Sequence, residues 1–261
     1  MMFHRFTLLK KKYSARIAII AEDSDIHPQQ EQMHSRRLFA WILFVACAAM
    51  ISLALPALLG KVYVADDLGE FHLPIRSFYA KQLAAGGPFE WMPQLYSGFF
   101  IAAEGQLGAY HPFHWILYRT LPLDIAFNLE LLTGYAFLFF GTWLFLRRLT
   151  SSRTAGFYGA LVFTFGSFML LHFIHPNAIA VIAHLPWILS ALDVAMGSGN
   201  RRHRAAAELA VGLLIGSQLL LGYPQCVWFT ALTSCFFLLW RYLQSRYPLK
   251  RIATIAVAVT S

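Results

Sequence analysis

The sequence predicts an all-α, multi-pass integral membrane protein with about six to seven transmembrane helices. Of its 261 residues, 58% are hydrophobic and only 13% are charged, and the mean hydropathy is +0.54. A soluble domain with so little charge could not cover its own core. The apolar residues also fall in runs close to the ~20 residues that cross the hydrocarbon region of a bilayer. The first expected partner is therefore the lipid bilayer.

The chain divides into a basic tail, residues 1–37, and a transmembrane domain, residues 38–261. The predicted spans are residues 38–59, 125–146, 155–175, 178–196, 205–221 and 227–242, followed by a short run at 252–261. At roughly 1.5 Å per residue, this last run covers about half of the membrane core. Its length favours either a fragment of a longer protein or a truncated, inactive remnant.

The tail, residues 1–37, lacks the short apolar region and small-residue cleavage site of a secretory signal peptide. One interpretation is a disordered cytoplasmic segment. The other is that translation starts at Met33, which would remove most of the tail. Both interpretations leave the transmembrane domain unchanged.

The basic residues predict the orientation in the membrane. Seventeen of the 21 Lys and Arg residues lie in the tail and in the connectors on one side of the predicted spans. Basic residues concentrate on the cytoplasmic side of membrane proteins. The N-terminus is therefore expected in the cytoplasm and the long loop 60–124 outside. The net charge of +8 is explained by topology, so no nucleic-acid partner is expected.

The outer loop is rich in acidic residues. Its stretch 65–112 holds five of the thirteen Asp and Glu residues: Asp66, Asp67, Glu70, Glu90 and Glu104. Asp67 and Glu70 have the spacing of a helix cap with its capping-box partner. An Asp at the membrane face could also act as a general base or as a metal ligand. A helix over residues 74–84 is predicted to lie on the membrane surface.

Aromatic residues and turns continue through the loop. Trp91, Tyr110 and His111 stand among glycines and prolines, a composition too rich in large rings for a disordered linker. They are typical of an aromatic belt at the membrane interface or of a platform for a sugar ring or lipid. Residues 111–122 are apolar but too short to cross the bilayer, which predicts an interfacial or re-entrant segment.

Three further outer features are candidates for function. His172 and His175 lie three residues apart, a spacing that could bind a metal or phosphate, although interfacial histidines are commoner. Residues 222–225 form a predicted turn. Glu130 lies inside a predicted span near its outer end, and acids within membrane spans are functional candidates by default.

The motifs taken together resemble the YfhO-type membrane proteins of the GT-C class of glycosyltransferases. The resemblance covers residues 64–225 and rests on these residues: Asp67, Leu68, Pro74, Gly87, Pro88, Trp91, Pro93, Tyr96, Gly98, Tyr110, His111, Pro112, Pro186, Trp187, Gly222, Tyr223, Pro224 and Gln225. The chain departs from the family in having Met92 where members usually have Asn. Family members are also much longer.

The resemblance implies a GT-C-like fold and an enzyme of the bacterial cytoplasmic (inner) membrane. Such an enzyme moves a sugar from a polyprenyl-phosphate donor to a cell-envelope acceptor outside the cell. The essential acid of the family's first outer loop corresponds to Asp67, with Asp66 as its neighbour or substitute. This carboxylate would accept the acceptor hydroxyl's proton during inversion at the anomeric carbon.

The leaving phosphate needs positive charge. Arg76, Lys81 and Arg119 are the basic side chains expected on the outer side, and a divalent cation (Mg or Mn) on Asp66 and Asp67 is the other source. Further residues expected to bind substrate are Trp91, Glu104, Tyr110, His111, Glu130, His175, Tyr223 and Gln225.

Two other functions stay open at this point. A transporter or flippase-like protein would place polar residues near the middle of several spans. The acids of this chain lie near the span ends instead, which favours the transferase. An inactive, truncated remnant would insert in the membrane without chemistry.

Overall fold

The computed structural model describes residues 33–150 and 152–245. The predicted span 252–261 and residues 1–32 of the predicted tail lie outside them. Residues 33–37, expected in the tail, are helical and belong to the first span.

Six helical segments in the described residues are long and apolar enough to cross a membrane. They are α1 (Met33–Leu58), α5 (Leu123–Thr150), α6 (Arg153–Thr164) continued by α7 (Ser167–Leu171), α8 (Pro176–Ile182) continued by α9 (Leu185–Gly197), α10 (Arg201–Leu221) and α11 (Pro224–Ser245). The protein is therefore an α-helical, multi-pass membrane protein.

The loop between α1 and α5 is folded. It contains a π-helical turn (Leu68–His72), α2 (Leu73–Ala85), β1 (Trp91–Met92), β2 (Phe99–Phe100), α3 (Ile101–Glu104) and α4 (Pro112–Thr120). The two strands pair antiparallel, with Trp91 opposite Phe100 and Met92 opposite Phe99. The all-α prediction therefore missed one short β-ribbon.

Two spans that the sequence predicts as continuous are interrupted. The extended conformation of Gly166 separates α6 from α7, and a 3₁₀ turn (His172–Ile174) follows. Pro176 and Pro186 lie in the first turns of α8 and α9, where a proline's missing N–H costs no helical hydrogen bond. These breaks bring His175 to the junction between two segments.

Helix α5 is the centre of the bundle, because it contacts α6, α8 and α9 as well as α2 and α4. A Cβ atom at Gly141 would overlap the Trp187 indole, so this glycine permits a close approach of α9. The Trp187 indole donates to the Phe137 carbonyl at 2.9 Å. Large apolar side chains on α1, α10 and α11 are exposed, as expected of surfaces that face lipid.

The loop helices pack onto this bundle. Helix α2 buries Ile75, Arg76, Phe78, Tyr79 and Leu83, and it contacts α4 and α5. The prediction of a surface helix over 74–84, with Arg76 away from the apolar side, is thus wrong. Packing against α4 and α5 buries the Arg76 side of α2, and this cannot be read from the periodicity of one segment.

The helices alternate in direction, so α1, α7 and α10 end where α5, α8 and α11 begin. This end of the bundle, which also carries the loop, is called the cavity end below. Nine of the thirteen Lys and Arg residues in the described part of the chain lie at the opposite end.

Candidate active site

A cavity of about 720 Å³ opens at the cavity end. Its walls come from the π-helical turn, the ribbon, the turn after α3, the junction before α8 and the turn before α11. The lining residues are Asp67, Glu70, Phe71, His72, Tyr96, Glu104, Gln106, His175, Tyr223, Pro224 and Gln225. Five residues predicted from sequence meet here: Asp67, Glu104, His175, Tyr223 and Gln225.

Asp67 faces this cavity instead of capping a helix. Its side chain makes no capping hydrogen bond, and its Oδ2 atom lies 3.2 Å from Nε2 of His175. The amides of Gly69 and Glu70 donate instead to the backbone carbonyl of Asp66, at 2.9 and 3.1 Å. The capping-box interpretation is therefore wrong for Asp67, and its carboxylate is available to a ligand.

The backbone around the cavity is strained. Asp66, Tyr96 and Tyr223 have positive φ angles of 51°, 51° and 56°. This region costs a residue with a side chain on the order of 1–3 kcal/mol and occurs preferentially at functional sites. Tyr96 and Tyr223 line the cavity, and Asp66 precedes Asp67. The strain thus surrounds the candidate base.

One hydrogen bond joins the turn after α3 to the turn before α11. The amide of Tyr223 donates to the Gly105 carbonyl at 2.6 Å. Gly222 has φ +87°, and a Cβ atom at this position would overlap the Gly105 carbonyl oxygen. The contact fixes Glu104 and Gln106 beside Tyr223 in the wall of the cavity. The Asn177 amide adds a 3.3 Å hydrogen bond to Gln106 Oε1.

The cavity is acidic. Asp67, Glu70 and Glu104 contribute carboxyl groups, and none of the lining residues is Lys or Arg. Burial raises the pKa of Glu104, although a 2.8 Å hydrogen bond from the Gln106 amide acts in the opposite direction. Burial, and after it the charge of Arg76, lowers the pKa of His72 to about 4. His72 is therefore neutral at pH 7 and does not offset the acids.

The expected basic residues lie elsewhere. Lys81 and Arg119 are exposed and do not line the cavity, and the Arg119 guanidinium stacks over the Trp115 ring at 4.8 Å. Arg76 is only 1% exposed. The structure therefore does not bring the three expected phosphate-binding cations to Asp67.

Arg76 and Glu130 form a buried ion pair. Arg76 also donates to the Leu107 carbonyl, and Tyr118 donates its hydroxyl hydrogen to the second oxygen of Glu130. His114 bonds the Gly108 carbonyl at 3.0 Å. Glu130 thus has a partner that the sequence did not reveal. The network holds the turn that follows Glu104. Arg76 and Glu130 therefore support the wall of the cavity without lining it.

Of the aromatic run interpreted as a possible platform, Tyr96 lines the cavity, but Trp91, Tyr110 and His111 do not. Trp91 and Tyr110 are more than half exposed, and the Tyr110 hydroxyl donates to Glu90 at 3.2 Å. His111 lines a second, largely apolar cavity of about 700 Å³ between α5 and α8–α10. There His111 and His184 both bond the Ser217 hydroxyl, at 2.9 and 2.8 Å.

The residues present do not fit a resident divalent cation. No three His, Cys, Asp or Glu side chains are arranged to hold a metal in the part of the chain that the structure describes. Asp66 does not line the cavity, so it does not share a ligand position with Asp67. The chemistry proposed for this site therefore uses no metal ion.

Sequence reasoning did not propose Glu70, His72 or Gln106 as ligand-binding residues, whereas Tyr96 belonged to the aromatic run interpreted as a possible platform for a sugar ring or lipid. Glu70 and His72 follow Asp67 within one turn and a half, and this proximity could have identified them. Gln106 carried no such indication, because loop folding alone brings it to the cavity.

No family model matches this sequence, and no curated protein and no solved structure matches it.

Proposed function

We propose that this protein is an inverting membrane glycosyltransferase of the GT-C type, with a polyprenyl-phosphate sugar as donor and a cell-envelope acceptor. The observation that carries the proposal is the position of Asp67. Its carboxylate faces a 720 Å³ cavity, is held by His175, and lies among residues drawn from five separate segments. A cavity of this volume accommodates a small ligand such as a sugar.

Asp67 acts as the general base in this proposal. The acceptor oxygen attacks the anomeric carbon while the bond from that carbon to the phosphate oxygen breaks. The acceptor's proton moves to the Asp67 carboxylate, and polyprenyl phosphate leaves. His175 orients the carboxylate through the 3.2 Å contact between its Nε2 atom and Oδ2.

In this proposal, neutral hydrogen-bond donors stabilise the negative charge of the leaving phosphate. The side-chain amides of Gln106 and Gln225 and the hydroxyl groups of Tyr96 and Tyr223 belong to the cavity lining. Preorganised donors stabilise developing negative charge in a partly enclosed site. Arg76, by contrast, does not line the cavity and acts as a positioning residue through its hydrogen bond to the Leu107 carbonyl.

The orientation belongs to the same proposal. The excess of basic residues at the end opposite the cavity supports a cytoplasmic location for that end. The cavity then opens on the outer face of a bacterial cytoplasmic (inner) membrane, within reach of a lipid-linked donor and an envelope acceptor.

The ionisable residues within the spans support the transferase over a transporter. Glu130 lies near the cavity end and pairs with Arg76. Asp193 lies near the basic end, where Arg148 and Arg241 bind its two oxygens at 2.8 and 2.7 Å. A transport path would be expected to place such groups near mid-membrane.

The test is transfer by the full chain reconstituted in lipid vesicles. A panel of radiolabelled polyprenyl-phosphate hexoses is supplied, and the release of polyprenyl phosphate is measured. Asp67→Asn should lower the rate by about 10²–10⁴-fold, the usual contribution of a general base. Asp66→Asn is the matched control, because Asp66 is adjacent and exposed but does not line the cavity, and it should keep the rate.

Two results would contradict the proposal. Transfer by Asp67→Asn at the wild-type rate would remove Asp67 from the chemistry. Absence of transfer by the wild-type chain with every donor in the panel would favour the inactive remnant.

A further inference from the structure

A polar side chain in the wall of the acidic cavity has no partner within the protein. His72 lines the cavity and is only 6% exposed, and its imidazole nitrogens make no hydrogen bond with another described residue. Its ring contacts Phe71 only edge-on, at 5.2 Å between centroids. The two nitrogens are not among the fully enclosed polar atoms that lack a partner, so they reach the cavity and can bond a group that fills it.

The electrostatics of the cavity restrict the charge of this ligand. Asp67, Glu70 and Glu104 come from two separate segments and face the same space, and no Lys or Arg lines it. Carboxylates brought together without counter-charge repel one another, and a cation in their midst relieves the repulsion. The ligand should therefore carry positive charge at the position between them.

A metal ion does not fit this position, since no three metal-binding side chains converge in the described part of the chain. An organic cation does fit the remaining walls. Phe71, Tyr96 and Tyr223 line the cavity, and aromatic rings attract ammonium groups by cation–π interaction. Gln106 and Gln225 supply amides that can bond neighbouring hydroxyl groups.

We propose that the cavity binds a sugar that carries a protonated amine, with the ammonium group on the acidic side of the cavity, which Asp67, Glu70 and Glu104 line, and a ring substituent bonded to His72. This inference rests on the proposed function in one respect: the amino sugar would be the donated or the accepting unit of the transfer. His72 is suited to the role because, being neutral, it offers both an N–H donor and a free acceptor nitrogen.

The test compares three probes that differ at one substituent: methyl glucosaminide, its N-acetyl derivative and methyl glucoside. Binding to the detergent-purified full chain is measured by calorimetry at neutral pH. The amine should bind about tenfold more tightly than either neutral sugar, the factor that corresponds to 1.4 kcal/mol. High salt should reduce the preference.

Two variants localise the effect. Glu70→Gln and Glu104→Gln should each reduce the preference for the amine over methyl glucoside several-fold. Glu90→Gln is the matched control, because Glu90 is an acid of the same loop that does not line the cavity. It should keep the full preference.

Equal affinity for the three probes would overturn the inference, and so would saturable binding of Mn²⁺ or Mg²⁺ with no binding of the amine. The result is distinguishable from failure of the proposed function. An amine preference without any sugar transfer would support the ligand class and reject the transferase. Transfer of neutral sugars without an amine preference would support the transferase and reject the ligand class.

Discussion

His175 Nε2 lies 3.2 Å from Oδ2 of Asp67, although 107 residues separate them in the chain. The contact joins the loop after α1 to the junction between two interrupted spans. It leaves the second carboxylate oxygen of Asp67 without a hydrogen-bond partner among the described residues. The pair therefore has the form of a positioned base: one oxygen is fixed and the other is available.

Loss of His175 should impair the proposed transfer without abolishing it. His175→Ala removes the 3.2 Å contact that orients the base, so kcat should fall by roughly tenfold. His175→Gln, which can still donate an N–H, should restore most of the rate. The measurement is sugar transfer in vesicles with the donor that the wild-type chain uses.

His172→Ala is the control for this prediction. His172 lies three residues away but bonds the Phe168 carbonyl at 2.8 Å and does not line the cavity. Its replacement should leave kcat unchanged. Equal losses in both variants would show that the effect is not specific to the contact with Asp67.

Breaking the Arg76–Glu130 pair should destabilise the protein strongly. Glu130→Gln leaves a buried guanidinium without its counter-charge, which typically costs about 3–5 kcal/mol. For a chain of this size, this corresponds to a fall of roughly 10 °C in Tm. The Tm is measured by tryptophan fluorescence in detergent.

The double variant Arg76→Met, Glu130→Leu tests the physical reason. Removing both charges removes the uncompensated ion, so much of the lost stability should return. Glu90→Gln, a change at the surface of the same loop, should alter stability by less than about 0.5 kcal/mol. A double variant as unstable as Glu130→Gln would refute the electrostatic explanation.

Acidification should destabilise the loop. Burial lowers the pKa of His72, His111 and His114 to about 4 in the folded protein, from an ordinary value of 6.5. Between these values the unfolded chain binds more protons than the folded chain. The stability that depends on these histidines is complete above pH 6.5 and is lost as the pH falls towards 4.

The Tm measured across this range should therefore decrease with decreasing pH. His114→Gln removes one of the three groups and should make the decrease shallower, even if it lowers the Tm at neutral pH. A Tm that rises on acidification, or an unchanged slope in the variant, would contradict the assignment of these histidines as buried and neutral.

Gly222→Ala should disrupt the cavity. The added methyl group would overlap the Gly105 carbonyl and break the hydrogen bond from the Tyr223 amide. We expect a fall in Tm of several degrees and a weaker affinity for the amine probe. Gly216→Ala in α10 meets no atom within 4 Å and should not destabilise the protein. Similar behaviour of the two variants would exclude the proposed overlap.

The sequence by itself determined the membrane class and the approximate limits of the spans. Hydrocarbon excludes charged and unpaired polar groups, so each crossing must be a long apolar helix that a sequence displays directly. Because spans alternate in direction, the sequence also placed Asp67, Glu104, His175 and Tyr223 on one side of the bilayer. It was this alternation that made a shared site predictable.

Only the tertiary structure decided which of these residues meet. Arg76 and Glu130 each appeared to be available from sequence, yet they neutralise one another because packing of the loop buries both. Asp67 matched a capping box, but the Asp66 carbonyl takes the amides that a cap would bind. Contacts between segments far apart in the chain depend on how the loop folds over the bundle, and the periodicity of a single segment does not contain that information.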